Sequence, residues 1–353
     1  MCIDIDCFLK NTNNIDQNTY YILLIPKKNY GDKAFFISNR HLIEYWSQYL
    51  NVVKLNFFFF LIFYKLAYTK SLGIDLTKYS SNPYSNSISY KLNSKTSSKI
   101  NLNLRKEDID YGYKFLDKFG LKPSDWFVCF HARDSGWDKK RGHSNFSTQK
   151  YRNSRIHDYY MAYRNVVKRG GWVIRVGDSS MKKISFGDKF IDLTGHSCDD
   201  RLNIFLSAKC KLFVGCASGA YCISIIFGVP VLTVNLLPYS YVYPHGNNNF
   251  SLPKLLYSKK NKKYLKLDDI YKKNYANFFN DSEYIENEIE IFNNSPEDIN
   301  DALNDFFKYF DDKKINYTLQ NKFRKFLNSK HYSYGSNSFI SPSFLKKYKD
   351  ILF

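Results

Sequence analysis

No apolar run in this chain approaches the ~20 residues needed to cross a bilayer. The most apolar stretch, Phe57 to Phe63, is far shorter and reads as a buried core segment, with interfacial membrane contact as the alternative. Cysteine is sparse and unpatterned: Cys2, Cys7, Cys129, Cys198, Cys210, Cys216 and Cys222 are odd in number and show no repeated metal-ligand spacing. That argues against a disulfide scaffold or a cysteine-ligated zinc module. Reduced core cysteines and the lack of a signal peptide together point to the cytoplasm. Acidic residues are also scarce, 33 against 52 Lys and Arg, for a net charge of +19. Apolar mass is not lacking: 44% hydrophobic residues, with 30 Tyr and 30 Phe, exclude a disordered chain. Only the Ser- and Asn-rich segment from Tyr79 to Asn103 is expected to be loose.

The positive charge invites a nucleic-acid reading, since clustered Lys and Arg bind phosphate backbones by releasing counterions. The lysines are scattered, however, and Lys, Asn, Ile, Tyr and Phe are abundant together, as codon bias in an AT-rich genome would make them. No aromatic RNA-binding signature accompanies them, so nucleic acid is not an expected partner. The exception is the run from Lys254 to Lys273, which is either a solvated face or a contact for acidic lipid headgroups or an anionic substrate. Acids from Asp281 to Asp312 follow it and partly neutralise it.

At 353 residues, two domains are expected. Tyr20 to Pro26 reads as a buried strand, Ala34 to Ile37 as a second, and Arg40 to Leu50 carries apolar residues at helical spacing. Beyond Pro123, strand and helix alternate. The strands are Trp126 to Phe130, Trp172 to Val176, Phe190 to Leu193, Leu212 to Val214 and Val231 to Val234. Helices Ile156 to Arg169, Asp199 to Ala208 and Ala220 to Phe227 lie between them. Such alternation implies right-handed crossovers and a parallel sheet covered on both faces, a Rossmann-like α/β domain. Ser295-Pro296-Glu297-Asp298 starts a helix with Ile299, Leu303, Phe306 and Phe310 on one face. Phe344, Leu345, Tyr348 and Leu352, near the end, are expected to lie back across the other domain. The expected division is residues 1–121, residues 122–280 and a helical tail, 281–353.

Two stretches carry the chemistry. WFVCFHARDSGW (Trp126 to Trp137) and KLFVGCASGAYCISIIFGVPVLTVN (Lys211 to Asn235) each run from an apolar strand into a loop of small, polar and charged residues, and the second loop opens a helix. At the carboxyl ends of parallel strands, such loops direct N–H groups and a helix N-terminus into one crevice, which suits phosphate. The expected ligand is therefore a nucleotide diphosphate. In an extended backbone His131 and Arg133 face the same side, and the planar fork of Arg133 grips two phosphate oxygens. The alternative for Arg133 is an ion pair with Asp134 or another nearby acid. Gly215-Cys216-Ala217-Ser218-Gly219 offers close backbone approach and a hydroxyl, although small loops also precede helices for plain packing reasons. Arg175, beside Gly177 and Asp178, is a second phosphate ligand or a structural partner of Asp178. Arg152 and Asn153 precede a helix, where the arginine reaches the pocket or neutralises acids. Asp4-Ile5-Asp6 and Asp108-Ile109-Asp110 follow no convincing strand, and His143, His157, His196, His245 and His331 form no ligand array. No metal is expected.

Five ordered blocks resemble a family of bacterial glycosyltransferases associated with surface-polysaccharide biosynthesis. They are HARDSGW, YRN with IHDYY, GGWVIRVGDSSMK, DDRLNIFLSAKCKLFVGCASG, and Asn235 with LPK at Leu252 to Lys254. FFISNRHLIEYW and SPSFLKKY are similar too. The His-x-Arg block is similar to the donor-phosphate motif of GT-B fucosyltransferases, and the Ser-Gly helix start to that of heptosyltransferases. The resemblance implies a GT-B-like fold of two Rossmann-like domains with parallel sheets, plus C-terminal helices. Residues 1–121 would then be the acceptor side, expected to be shortened because no strand and Gly-containing loop precede Tyr20. Residues 122–280 would hold the nucleotide sugar. Donor binding is implied for His131, Arg133, Ser135, Arg152, Asn153, Arg175, Gly177, Asp178, Ser218, Gly219, Asn235 and Lys254. Of these, Arg133 and Arg175 would face the diphosphate and Ser218-Gly219 would cap it. Asp134 is the nearest carboxylate to serve as general base. The implied partners are a nucleotide-diphosphate sugar and a glycan or lipid-linked acceptor. Neither a cofactor nor a metal is implied, and the setting would be the cytoplasm or the inner face of the membrane. A sugar-nucleotide epimerase on the same scaffold, a basic nucleic-acid-binding protein and a non-catalytic scaffold stay open as alternatives.

Overall fold

The computed structural model describes residues 2–11, 22–29, 37–67, 101–134, 136, 146–194, 199–327 and 334–353. Ser135, Cys198, Ala34 to Phe36 and most of the segment from Tyr79 to Asn103 lie outside the described residues. Helix Cys2–Asn11 opens the chain. Strands β1 (Ile22–Pro26) and β2 (Asn51–Leu55) then pair in parallel across helix His41–Trp46, and helix Phe57–Ala67 follows. That last helix corrects the expectation of a buried core segment: Phe58 is 68% exposed, Phe59 49% and Phe63 44%, while Phe60 is buried. The helix packs on the β1–β2 pair, and two strands are too narrow to cover more than one side of it.

Helix Lys106–Leu116 leads into the remaining strands: β3 (Phe127–His131), β4 (Trp172–Arg175), β5 (Phe190–Asp192), β6 (Leu212–Gly215), β7 (Val231–Leu236), β8 (Phe250–Pro253), β9 (Leu255–Ser258), β10 (Lys263–Tyr264), β11 (Ile289–Phe292) and β12 (Phe339–Ile340). Seven of them form one parallel sheet in the order β12-β8-β7-β6-β3-β4-β5. Strands β9, β10 and β11 make a small antiparallel side sheet. Numbered from β3, the first six strands of the large sheet run 3-2-1-4-5-6, the doubly wound Rossmann order. From β3 the chain winds outward through β4 and β5; it then returns to β6 and winds the other way. The reversal lies between β3 and β6, and there a crevice opens at the carboxyl ends of the strands.

The strands form where they do because they are buried on both faces, which continuous apolar runs satisfy. In β3, Val128 and Phe130 join the core under helices Tyr160–Lys168 and Pro296–Asp312, while Phe127 and Cys129 join the core under helices Lys106–Leu116 and Asp200–Lys209. Helix Pro296–Asp312 has a capping box formed by Ser295 and Asp298 and a proline in its first turn. Phe344, Leu345 and Leu352 pack into this same sheet-domain core rather than across the amino-terminal unit, and β12 extends the sheet.

The amino-terminal unit is fixed by buried polar contacts as well as apolar ones. Asp108 accepts hydrogen bonds from Tyr45 Oη and Arg201 Nε, and its Oδ2 lies 2.9 Å from His41 Nε2. Burial alone would raise the Asp108 pKa; these three partners outweigh it and hold the carboxyl below its ordinary value. No described helix is long and apolar enough to cross a membrane.

Candidate functional site

At the switch point, β3 and β6 approach closely because Gly215 has no side chain. A Cβ there would stand 2.9 Å from the Phe213 ring and 3.3 Å from the His131 carbonyl. Beyond the strands, the Arg133 N–H donates to Cys216 Sγ at 3.0 Å and the Arg133 carbonyl accepts from the Ser154 N–H at 3.0 Å. These bonds turn the Arg133 side chain toward the segment before helix Tyr160–Lys168. Its guanidinium donates to the Gln149 carbonyl at 3.0 Å and to Asn153 Oδ1. Burial raises the Cys216 pKa, so the thiol acts as a neutral acceptor.

A cleft of about 730 Å³ lies here, within the size range of small-molecule sites. Arg133, Asp134, Asn153, Lys254 and Asp281 are among its walls. Lys254 is buried, and its ammonium donates to the Asn153 carbonyl at 2.8 Å. Desolvation pushes its pKa down to about 8. Asn153 thus joins two cations, taking Arg133 on its side chain and Lys254 on its backbone. Asp281 accepts the Lys150 and Tyr151 N–H groups at 2.9 and 2.8 Å, which anchors helix Asp281–Glu286 to the opposite wall. Asp134 Oδ1 accepts the Gly136 N–H at 2.8 Å.

The other residues singled out from sequence stand elsewhere. Arg152 braces the second loop, donating to the Ala217 carbonyl at 2.9 Å. Asn235 sits at φ +52° and exchanges hydrogen bonds with Asn294; its amide also donates to Ser154 Oγ at 2.7 Å, so it shapes the cleft from behind. His131 does not face the cleft alongside Arg133. The strand ends at His131, and the ring Nδ1 donates to the Val176 carbonyl at 3.1 Å. Burial lowers its pKa, leaving a neutral ring with Nε2 as acceptor. Ser218 and Gly219 are not among the cleft walls. Ser218 Oγ accepts the Ala220 N–H at 3.1 Å, and the helix beyond, Tyr221–Ile226, is only six residues long.

Arg175 requires the clearest correction. It is buried at the carboxyl end of β4 and bonded to Asp192 Oδ2 at 2.9 Å and the Lys182 carbonyl at 2.8 Å. Asp192 lies directly opposite it on β5, and a buried guanidinium is far less costly beside a carboxylate. It therefore pairs with Asp192, not Asp178 or a ligand in the cleft. Asp178 instead closes a turn with the Ser180 N–H at 2.8 Å. Gly177 makes room for Met181, whose Sδ would stand 2.4 Å from an added Cβ.

No protein-family model and no curated protein matches the chain. Two solved structures are similar to it in part. An Escherichia coli ADP-heptose LPS heptosyltransferase II shares 15% identity at a TM-score of 0.28, over 37% of this chain and 38% of that one. A glycosyl transferase family 9 protein from Veillonella parvula shares 12% identity at a TM-score of 0.32, over 66% of this chain and 61% of that one. The chain thus spans less than two thirds of either protein's length, and likeness at this level leaves the function to be read from the site itself.

Proposed function

We propose that this chain is a glycosyltransferase that moves a sugar from a nucleotide-diphosphate donor to an acceptor hydroxyl, with the diphosphate held between Arg133 and Lys254. The observation that carries this reading is the meeting of both cations on Asn153, in a nucleotide-sized cleft at the switch point of a 3-2-1-4-5-6 sheet. Open α/β sheets take their ligands at that point. Cleaving the bond between sugar and phosphate leaves negative charge on the departing oxygen, and preorganised cations stabilise that charge as it develops. Arg133 is suited to bridge two oxygens. Lys254 gains a full counter-ion when the diphosphate arrives, so its charge and the ligand's are coupled.

In this reading the side chains meet the diphosphate charge without a metal. Asp134 accepts the proton of the acceptor hydroxyl, and Asn235, Arg152 and Ser154 keep the walls in place. The acceptor is a glycan or lipid-linked hydroxyl in surface-polysaccharide assembly, as the sequence resemblance implies, with the enzyme working in the cytoplasm or at the inner membrane face.

A thermal-shift panel of UDP-, GDP-, dTDP-, CMP- and ADP-sugars tests the proposal, because a ligand that binds only the folded state raises Tm by mass action. One donor class is expected to raise Tm in the parent and to lose that effect in Arg133→Ala. A parent that responds to none of them would overturn the reading.

A further inference from the structure

A second cavity, of about 1040 Å³, opens on the outer side of the sheet domain between helix Tyr160–Lys168, the loop carrying Phe186, and helix Pro296–Asp312. We propose that this groove binds an anionic saccharide chain, at a site on the sheet domain distinct from the acceptor side expected of residues 1–121. The proposal does not rest on the glycosyltransferase reading.

Aromatic surface forms part of the groove. Tyr160 is 43% exposed, and its ring is supported from within by Phe186 and Tyr163, at centroid distances of 5.4 and 5.9 Å. The C–H face of a pyranose is apolar and packs on such a ring. Donors form another part. Asn165 Nδ2 donates to both Asn300 Oδ1 and Asn304 Oδ1 at 2.8 Å, which uses the amide oxygens of the two groove asparagines and leaves their NH2 groups as donors.

Charge completes the pattern. Arg164, Lys168 and Arg169 line the groove against one acid, Asp188. All three are exposed, and Arg169 is already engaged, over the Phe307 ring and on Asn165 Oδ1. A groove rich in donors and cations calls for a ligand that brings acceptors and negative charge, and guanidinium recognises carboxylate or phosphate substituents on a sugar. A single exposed ring does not provide the series of stacking platforms that successive nucleobases use. Groove and cleft are neighbours along the chain. Arg155 lines the cleft, and the short turn Ile156–Tyr159 joins it directly to Tyr160 at the head of the groove.

Calorimetry with a galacturonate oligomer, a maltooligosaccharide of equal length and oligo-dT tests this, at about 0.15 M salt so that long-range attraction to the net charge is screened. The galacturonate oligomer is expected to bind best. Arg164→Ala combined with Lys168→Ala should weaken it about tenfold and Tyr160→Ala about threefold. Lys259→Ala with Lys260→Ala and Lys262→Ala, on the exposed β9–β10 hairpin, should leave it unchanged. Equal loss in the hairpin variant, equal binding of the neutral oligomer, tighter binding of oligo-dT, or no galacturonate binding would each overturn the proposal. Donor-induced thermal shifts and galacturonate binding, both measured on the parent, separate the two readings. A donor shift with no galacturonate binding overturns the groove alone; galacturonate binding without any donor shift overturns the cleft alone.

Discussion

Arg175 and Lys254 are both almost wholly buried, 3% and 2% exposed, yet their surroundings are opposite. Arg175 faces Asp192. Burial works to raise that carboxyl's pKa, but the Thr194 hydroxyl, the Ile184 and Thr194 N–H groups and Arg175 itself outweigh it and hold it below the ordinary value. The guanidinium has its counter-ion in place, with only its Nε left buried and without a partner. Lys254 donates instead to a neutral carbonyl on the wall of a cleft, and desolvation has already weakened its hold on the proton. A buried cation matched by an acid serves the fold. One matched by a carbonyl beside an open cleft is set up to receive an anion.

Removing the acid at the Arg175 corner should have the largest effect. Asp192→Ala leaves a guanidinium buried without its counter-ion and is expected to cost about 3–5 kcal/mol in chemical denaturation at pH 7. An unchanged midpoint would show that the two corners do not differ as described. At the open site, Lys254→Met should weaken nucleoside-diphosphate binding by about 30-fold or more, while folded stability at pH 7 holds or rises.

The sign follows from linkage. Lys254 titrates near 8 in the folded chain against 10.5 for the free side chain, so between those values the unfolded chain binds more protons. Its burial penalty is fully present below about pH 8 and is relieved as pH rises toward 10.5. Donor affinity should move the opposite way in the parent, falling as pH climbs through about 8, and should stay level in Lys254→Arg. Loss of affinity at the same pH in both proteins would assign the titration to another group.

Two glycines sharpen the comparison at smaller scale. Gly177→Ala meets the flexible end of the Met181 side chain, which can shift, and should cost no more than about 1 kcal/mol. Gly219→Ala meets nothing within 4 Å and should change stability by less than about 0.5 kcal/mol.

Much of the central sheet can be read from sequence, because β3, β4, β6 and β7 are buried on both faces and therefore mostly apolar, with polar residues such as Arg175 and Asn235 near their carboxyl ends. Strand β8, FSLP, contains serine and proline, and β10 and β12 are two residues each, so periodicity has nothing to register. The start of helix Pro296–Asp312 is legible because capping is local chemistry. Arg133, Asn153 and Lys254 stand out by residue type and position at loop starts. Arg175 stands out for the same reason, and only the β4–β5 register reveals that Asp192 lies opposite it. Phe57 to Phe63 shows the converse gap: hydrophobicity states what a segment would gain by burial, whereas burial also needs a partner to cover it. Asp281 carries no signal in sequence beyond a helix start, since its role depends on two amides from a segment far away in the chain.

The most direct test is an NMR titration of the Lys254 ammonium, assigned through Lys254→Arg, with and without saturating nucleoside diphosphate. The expected result is a midpoint near 8 for the protein alone and a clear upward displacement with the nucleotide that binds. A midpoint that does not move for a diphosphate shown to bind would mean the anion sits elsewhere, and the cleft would lose its assigned role.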